Sequence, residues 1–251
     1  MRVVVVGARG QLGAAIAGIF ASGHEVIALA RGDLDVTDAA PVARKMDELG
    51  PAAIVNCAAY NDVDGAEDHP VEALQVNALA VRALAASAAR LGAAFVHFGT
   101  DFVFDGKAST PYTEESRPNP RSVYAASKLL GEWFALDAPR GYVLRVESLF
   151  GRAEGGGTSK GTVAAFLRKM MAGEEVRVFE DRTVSPTFVP DAARATRLLV
   201  ERNAPAGLYH CVNTGSCTWP EFAAELARQL GIVPHLVQAR MTDAVLRAER
   251  P

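Results

Sequence analysis

Four consecutive valines at positions 3–6 lead directly into Gly7-Ala8-Arg9-Gly10-Gln11-Leu12-Gly13. A β-branched run of this kind suits a strand buried on both faces. Residues 11–22 then read as a helix that stops near Gly23. In this strand–turn–helix setting each glycine of GxxGxxG has a physical task. Gly7 permits the tight turn out of the strand. Gly10 lets backbone N–H groups approach a pyrophosphate, and Gly13 allows the helix to lie close on the sheet. The helix N-terminus, opened by Gln11 and Leu12, adds partial positive charge. Glycine fills 22 of 251 positions, so about 0.2 such matches arise by chance. The neighbouring elements therefore decide between a nucleotide loop and a purely structural turn, and here they favour the loop.

The same alternation continues. Strands are predicted at 25–29, 53–55, 94–98 and 142–146, with helices at 39–49, 71–91 and 122–136. Such a series implies right-handed crossovers and a parallel sheet covered on both sides. Past residue 150 the rhythm changes. Residues 155–157 are a glycine loop expected to be flexible. Helices are predicted at 163–171, 191–202 and 219–230, the last capped by Thr218, with strands at 176–178 and 208–212 and a loop at 181–190. The expected architecture is an α/β Rossmann-type doubly wound parallel sheet with a smaller C-terminal substrate lobe. Residues 1–150 form the dinucleotide-binding domain and 151–251 mostly the substrate lobe, with helix 191–202 returning to the first domain.

Composition removes several alternatives. A formal charge of −3 shows no basic surplus, which argues against nucleic acid or an anionic membrane as partner. Three cysteines without a CxxC pair argue against a disulfide framework or zinc knuckle and suit a reducing cytoplasm. The five histidines show no ligand spacing, so no metal is expected. No apolar run approaches the roughly 18 residues of a membrane span.

Tyr124 and Lys128 stand i, i+4 in the predicted 122–136 helix, on one face. An ammonium beside a phenol lowers its pKa, which would let Tyr124 exchange a proton near neutrality; the alternative is a surface pair. Thr100 lies in the Gly99-Thr100-Asp101 segment that follows the predicted 94–98 strand, at the carboxyl edge of the sheet, where ligands of open parallel sheets sit. It is placed to hydrogen-bond a reacting carbonyl, or else to cap a turn. Cys57, Ala58 and Ala59 form a small-residue turn at the same edge, where a cofactor needs close approach. Cys57 reads better as a small buried residue than as a nucleophile. Asp62, Asp64, Glu67 and Asp68 read as a solvated helix entrance rather than a cation site. The second predicted strand ends Ala28-Leu29-Ala30-Arg31, with no acid before Asp33. NAD sites usually place a carboxylate there. Arg31, with Arg9 opposite, offers donors to a 2′-phosphate, so NADPH is the expected cofactor and NADH an accepted second; the alternative is two solvated arginines.

Together these residues resemble the extended branch of the short-chain dehydrogenase/reductase superfamily, and within it the dTDP-4-dehydrorhamnose reductase family. The segments that carry the likeness are 56–64 (Asn-Cys-Ala-Ala-Tyr-Asn-Asp-Val-Asp), 100–106 (Thr-Asp-Phe-Val-Phe-Asp-Gly), 124–128 (Tyr-Ala-Ala-Ser-Lys), 185–187 (Ser-Pro-Thr) and 215–219 (Gly-Ser-Cys-Thr-Trp). The resemblance implies NADPH-dependent reduction of the 4-keto group of a nucleotide-linked 6-deoxy-4-keto sugar. Tyr124 would donate the proton, Lys128 would lower its pKa and hold the nicotinamide ribose, and Thr100 would polarise the carbonyl. The dinucleotide would run along Gly7–Gly13, with adenine near Asp35 and Val36 and with Cys57, Ala58, Ala59 and Tyr60 along its path. Asn61, Val63, Asp101 and Phe102 would face the sugar. Ser148 stands where the family commonly has Trp, which implies a sugar packed differently, and relatives usually continue past the position of Pro251. A homodimer is left open. The rival readings are a cofactor-binding regulatory subunit without turnover and a nucleotide-sugar epimerase.

Overall fold

In the computed structural model, which describes residues 1–151 and 161–251, six parallel strands form the main sheet. They are β1 (Arg2–Val6), β2 (Glu25–Leu29), β3 (Ala53–Asn56), β4 (Ala94–Thr100), β5 (Gly141–Val146) and β8 (Gly207–His210), in the order β2-β1-β3-β4-β5-β8. The alternation of side chains along β1 explains the valine run. Val3 and Val5 enter one core with Leu12, Ile16 and Phe20 of α1 (Gln11–Ala21), while Val4 and Val6 enter the other with Val42 and Met46 of α2 (Ala39–Leu49). The order of strands reverses at β1, whose neighbours are β2 on one side and β3 on the other. The crevice between the carboxyl ends of β1 and β3 is where such sheets receive ligands.

Two short helices, α3 (Gly65–Asp68) and α4 (Pro70–Leu74), precede α5 (Ala80–Leu91). The single helix expected over 71–91 is instead interrupted by one π-turn at Gln75–Leu79. Hydrophobic periodicity cannot show an i→i+5 turn, because one extra residue barely disturbs the apolar face. The strand expected at 94–98 runs on to Thr100. Beyond it α6 (Val123–Leu136) packs against α5 and β4.

A third core lies outside the sheet. It joins Val163, Phe166 and Met170 of α7 (Thr162–Met171), Val176 and Val178 of β6 (Val176–Phe179), Val184 of β7 (Thr183–Val184), and Trp219 and Ala223 of α9 (Trp219–Leu230). Thr218 caps α9 in a reciprocal pair with Glu221. The short strands β7, β9 (Cys217–Thr218) and β10 (Leu236–Ala239) were not legible in the sequence. β6 pairs with β10 in parallel, and β7 with β9 antiparallel. Two later elements belong to the main sheet: β8 pairs with β5, and α8 (Val189–Glu201) packs on α1. The glycines at 155–157 lie outside the described residues.

The terminal segment 244–251 runs back to the acidic cluster. Asp64 accepts from the amides of Arg247 and Ala248 and from both Arg250 terminal nitrogens, and Asp68 pairs with Arg247. Arg250 first, then these amides, hold the Asp64 carboxyl down at about 2. Asp64 and Asp68 therefore form an arginine seat, whereas Asp62 accepts from the Gly65 amide at the helix entrance.

Candidate active site

The loop after β1 is shaped by contact with the loop after β3. Gly7 adopts φ +76°, and a Cβ there would stand 2.6 Å from the Ala58 amide nitrogen. A Cβ on Gly13 would run into the Gly7 carbonyl and stand 2.9 Å from Ala8 Cα. These positions exclude side chains, and the result is a backbone cradle at the reversal point of the sheet. No side chain caps α1, so its first N–H groups are left for a ligand oxygen. The Leu12 side chain is buried in the core, so Leu12 has only its amide to offer. Gln11 reaches across to donate to the Gly151 carbonyl at 2.7 Å.

Arg9 and Arg31 are both exposed at the rim of this cradle. Asp33 turns back to accept from the Ala30 amide at 2.8 Å. Asp35 accepts from the Thr37 hydroxyl at 2.7 Å and from the Thr37 amide, contacts that lower its pKa. Val36 packs on the second core. Burial pushes the Cys57 thiol well above its ordinary range, which leaves no thiolate for nucleophilic chemistry. Among the described residues no group of His, Cys, Asp and Glu is arranged to hold a metal ion.

α6 presents Tyr124 and Lys128 inward. Ser122 caps the helix by accepting from Ala125 N, and Glu67 accepts from the amide of Val123 at 2.8 Å. Gly131 lets α6 close onto the Asn77 carbonyl of the π-turn. Asn77 is fully buried and had no signal in the sequence reading. Its Oδ1 accepts from the Tyr60 amide, and its Nδ2 donates to the Tyr60 carbonyl and to Ser127. One side chain thus ties the Cys57–Tyr60 loop to the helix that bears Tyr124.

Tyr124 is 8% exposed and Lys128 3%, which rules out a surface pair. Lys128 Nζ donates to the Phe98 carbonyl at 2.6 Å and lies 3.5 Å from His97 Nε2. Burial lowers Lys128 to about 8, opposed by the charge of Glu132. His97, held by Asn56, is kept neutral by burial and then by the charge of Lys128. The expected lowering of the Tyr124 pKa by Lys128 is not found. Burial, then the charge of Asp101, raise the phenol, while the Lys128 ammonium is engaged with a carbonyl. Tyr124 therefore holds its proton at neutral pH, as a donor must.

Of the two roles the sequence offered for Thr100, the turn cap is the one observed. Its hydroxyl caps the short 3-10 turn at Asp101–Val103 by accepting from Phe102 N, donates to Asp101 at 3.0 Å, and interacts with the Tyr124 phenol. Phe102 meets the Tyr124 ring edge-on at 5.6 Å between centroids. Tyr60, Val63 and Phe102 pack around Tyr124, whereas Asn61 is exposed in the loop before them. Ala58 packs on the second core and Ala59 is half-buried.

Beyond Asp101 opens a cavity of about 510 Å³, lined among others by Phe104, Tyr112, Arg145, Glu147 and Arg182. Glu147 and Arg182 were missed by the sequence reading. The available signal for Glu147 was an acid immediately after a buried strand at the carboxyl edge of the sheet. Ser148 beside it adopts φ +46°, so a bulky side chain there would be strained.

The whole chain, residues 1–251, matches the family model described as the RmlD substrate binding domain. It is similar to a dTDP-4-dehydrorhamnose reductase of Streptomyces griseus, with 38% identity over 258 residues, covering 100% of this chain and 83% of that protein. It is also similar to a Streptomyces antibioticus protein named as a probable dTDP-4,6-dihydroxy-2-methyloxan-3-one 4-ketoreductase, with 36% identity over 256 residues and coverage of 100% and 84%. Among solved structures it resembles the dTDP-4-dehydrorhamnose reductase of Bacillus anthracis in complex with NADP, with TM-score 0.94, 30% identity and coverage of 100% and 88%. The chain belongs to the RmlD substrate binding domain family and is an NAD(P)-dependent oxidoreductase of the dTDP-4-dehydrorhamnose reductase type.

Proposed function

We propose that this protein uses NADPH to reduce the 4-keto group of a nucleotide-linked 6-deoxy-4-keto sugar. The observation that carries the reading is a buried, protonated Tyr124 beside the Thr100 hydroxyl, with Lys128 buried one turn along the same helix and a glycine cradle at the edge of the sheet. That cradle, at Gly7, Gly10 and Gly13 with Cys57–Tyr60 opposite, fits a dinucleotide pyrophosphate. Asp35 and Val36 lie towards its adenine end. When bound, the nicotinamide supplies hydride. Thr100 holds the sugar carbonyl, and Tyr124 donates its phenolic proton to the alkoxide oxygen that forms. Lys128 is assigned to the nicotinamide ribose. Asn61, Val63, Asp101 and Phe102 are assigned to the sugar. Residues 1–150 with α8 and β8 serve the cofactor, and the α7–β6–α9 unit serves the substrate. We expect a cytoplasmic enzyme with no nucleic-acid or membrane partner; among the described residues no helix is long and apolar enough to cross a membrane. A homodimer remains an expectation that light scattering checks.

A panel of nucleotide-linked 4-keto sugars, assayed by NADPH consumption, tests this reading directly. Absence of turnover on every member sinks it.

Cofactor choice gives a second test. Arg31→Ala is expected to weaken NADPH by roughly tenfold more than NADH, since only the former brings a 2′-phosphate to the guanidinium. The measurement is kcat/KM for both cofactors in both proteins. Equal losses, or a wild-type preference for NADH, refute the assignment.

The pH dependence follows from Lys128. Its pKa near 8 means that the ammonium is present below that value and is lost as pH rises through it. Tyr124 remains protonated over the same range. Reductive kcat/KM is therefore expected to fall above about pH 8 and to lose this limb in Lys128→Ala, along with most of the rate. A wild-type profile flat to pH 10 counts against the role of Lys128.

A further inference from the structure

Glu147 follows β5 at the carboxyl edge of the sheet, and its side chain is held in place. Its Oε2 accepts from the Ser185 amide at 2.8 Å, and its own amide donates to the Thr187 hydroxyl at 3.1 Å. The charged and titratable groups facing its carboxylate are Asp101 from the end of β4, Arg182 ahead of β7, and Cys217 of β9. Arg182 is already engaged. It lies 3.7 Å from the Asp101 carboxylate and over the Phe102 ring at 5.6 Å. One half-buried guanidinium, paired with Asp101, is therefore the only cation whose charge Glu147 is seen to feel among the described residues. Burial, then the charge of Asp101, push Glu147 up to about 7.

Both carboxylates line the cavity of about 510 Å³, and so does Arg145. The Arg145 side chain is 5% exposed and is held by Glu132 through Nε and Nη2. Its Nη1 has no hydrogen-bond partner among the described residues. A buried guanidinium nitrogen left so costs free energy. Arg145 Nη1 is sealed from the cavity, whose wall shows an excess of acceptors at Glu147 and Asp101.

We infer that Glu147 and Asp101 select a nucleotide-linked keto sugar bearing an ammonium group, which sits against the two carboxylates. The inference rests on the reading of this site as a keto-sugar reductase. An anionic substituent would face two carboxylates whose guanidinium is already paired. A hydroxyl would satisfy one acceptor but bring no charge to hold Glu147 ionised. An ammonium brings three donors and the opposite charge.

The test uses dTDP-linked 6-deoxyhexoses in pairs that differ only by amine or hydroxyl at one ring carbon. Each is titrated calorimetrically into the enzyme with NADP+ present. The wild-type protein is expected to bind at least one amine at least about tenfold more tightly than its hydroxyl partner. Glu147→Gln keeps an acceptor for the Ser185 amide and should bring that ratio within about threefold. No amine preference in the wild-type protein overturns the inference whether or not the variant folds. So does an undiminished preference in a folded Glu147→Gln. Turnover of neutral keto sugars without amine preference sinks this inference alone. Amine preference without NADPH oxidation on any keto sugar sinks the reductase reading and leaves the ammonium site standing.

Discussion

Tyr124→Phe is expected to lower kcat for ketone reduction by at least about 100-fold, with NADPH affinity little changed. The substitution removes the phenolic oxygen and keeps the ring. Its packing against Ala66, Ala73 and the edge of Phe102 is therefore preserved. Because the phenol is raised by burial and by Asp101, the wild-type enzyme carries the proton throughout the neutral range. The variant has no substitute for it in that pocket: Thr100 is a far weaker acid, and Lys128 is turned to the Phe98 carbonyl. Steady-state NADPH oxidation, with cofactor binding followed by fluorescence, measures the two effects separately. Turnover near the wild-type rate would assign the acid elsewhere.

Glu132→Ala is the substitution expected to cost most in stability, about 3–5 kcal/mol. Glu132 and Arg145 form a bidentate pair with side chains 2% and 5% exposed, and Gly99 is bare because a Cβ there would strike the Glu132 carboxylate. Removing one partner leaves the Arg145 charge buried beneath Phe104, whose ring lies 5.0 Å from the guanidinium carbon. The effect reaches the chemistry as well. The Glu132 charge holds the Lys128 pKa up against burial; without it that pKa falls further, and less ammonium remains at pH 7.5. Urea unfolding and the alkaline limb of the pH profile should therefore move together. Unfolding unchanged within about 1 kcal/mol would show that the pair contributes little.

The site was legible where chemistry is written in short spacings. Gly7 and Gly13 could be read because a turn and a helix contact each exclude a side chain. Tyr124 and Lys128 could be read because i, i+4 defines a face whatever the helix packs on. What failed depended on three-dimensional surroundings. The i, i+4 spacing does not reveal that Phe98 offers a carbonyl to Lys128, so the direction of the Tyr124 shift was misjudged. Asn77 was invisible because a π-turn leaves the apolar pattern of an Ala-rich helix almost intact. Glu147 and Arg182 are 35 residues apart in sequence and meet only through the loop that carries Ser185 and Thr187. The short strands β7, β9 and β10 have too few residues for a period of two to declare itself.

The pairing of α1 with α8 has a consequence for how the molecule is made. Leu12, Ile16 and Phe20 share their core with Val189, Ala192, Ala193 and Val200, and β5 gains its outer neighbour only when β8 arrives. Synthesis releases the N-terminus first. The nascent chain therefore carries the glycine cradle and five strands of the sheet while one flank of α1 and one edge of β5 still face water. That exposure lasts until about residue 210 has left the ribosome. The half-made enzyme, rather than the finished one, is where this sequence is most exposed to aggregation, and where an early release or a slow codon in the last third of the message would be felt.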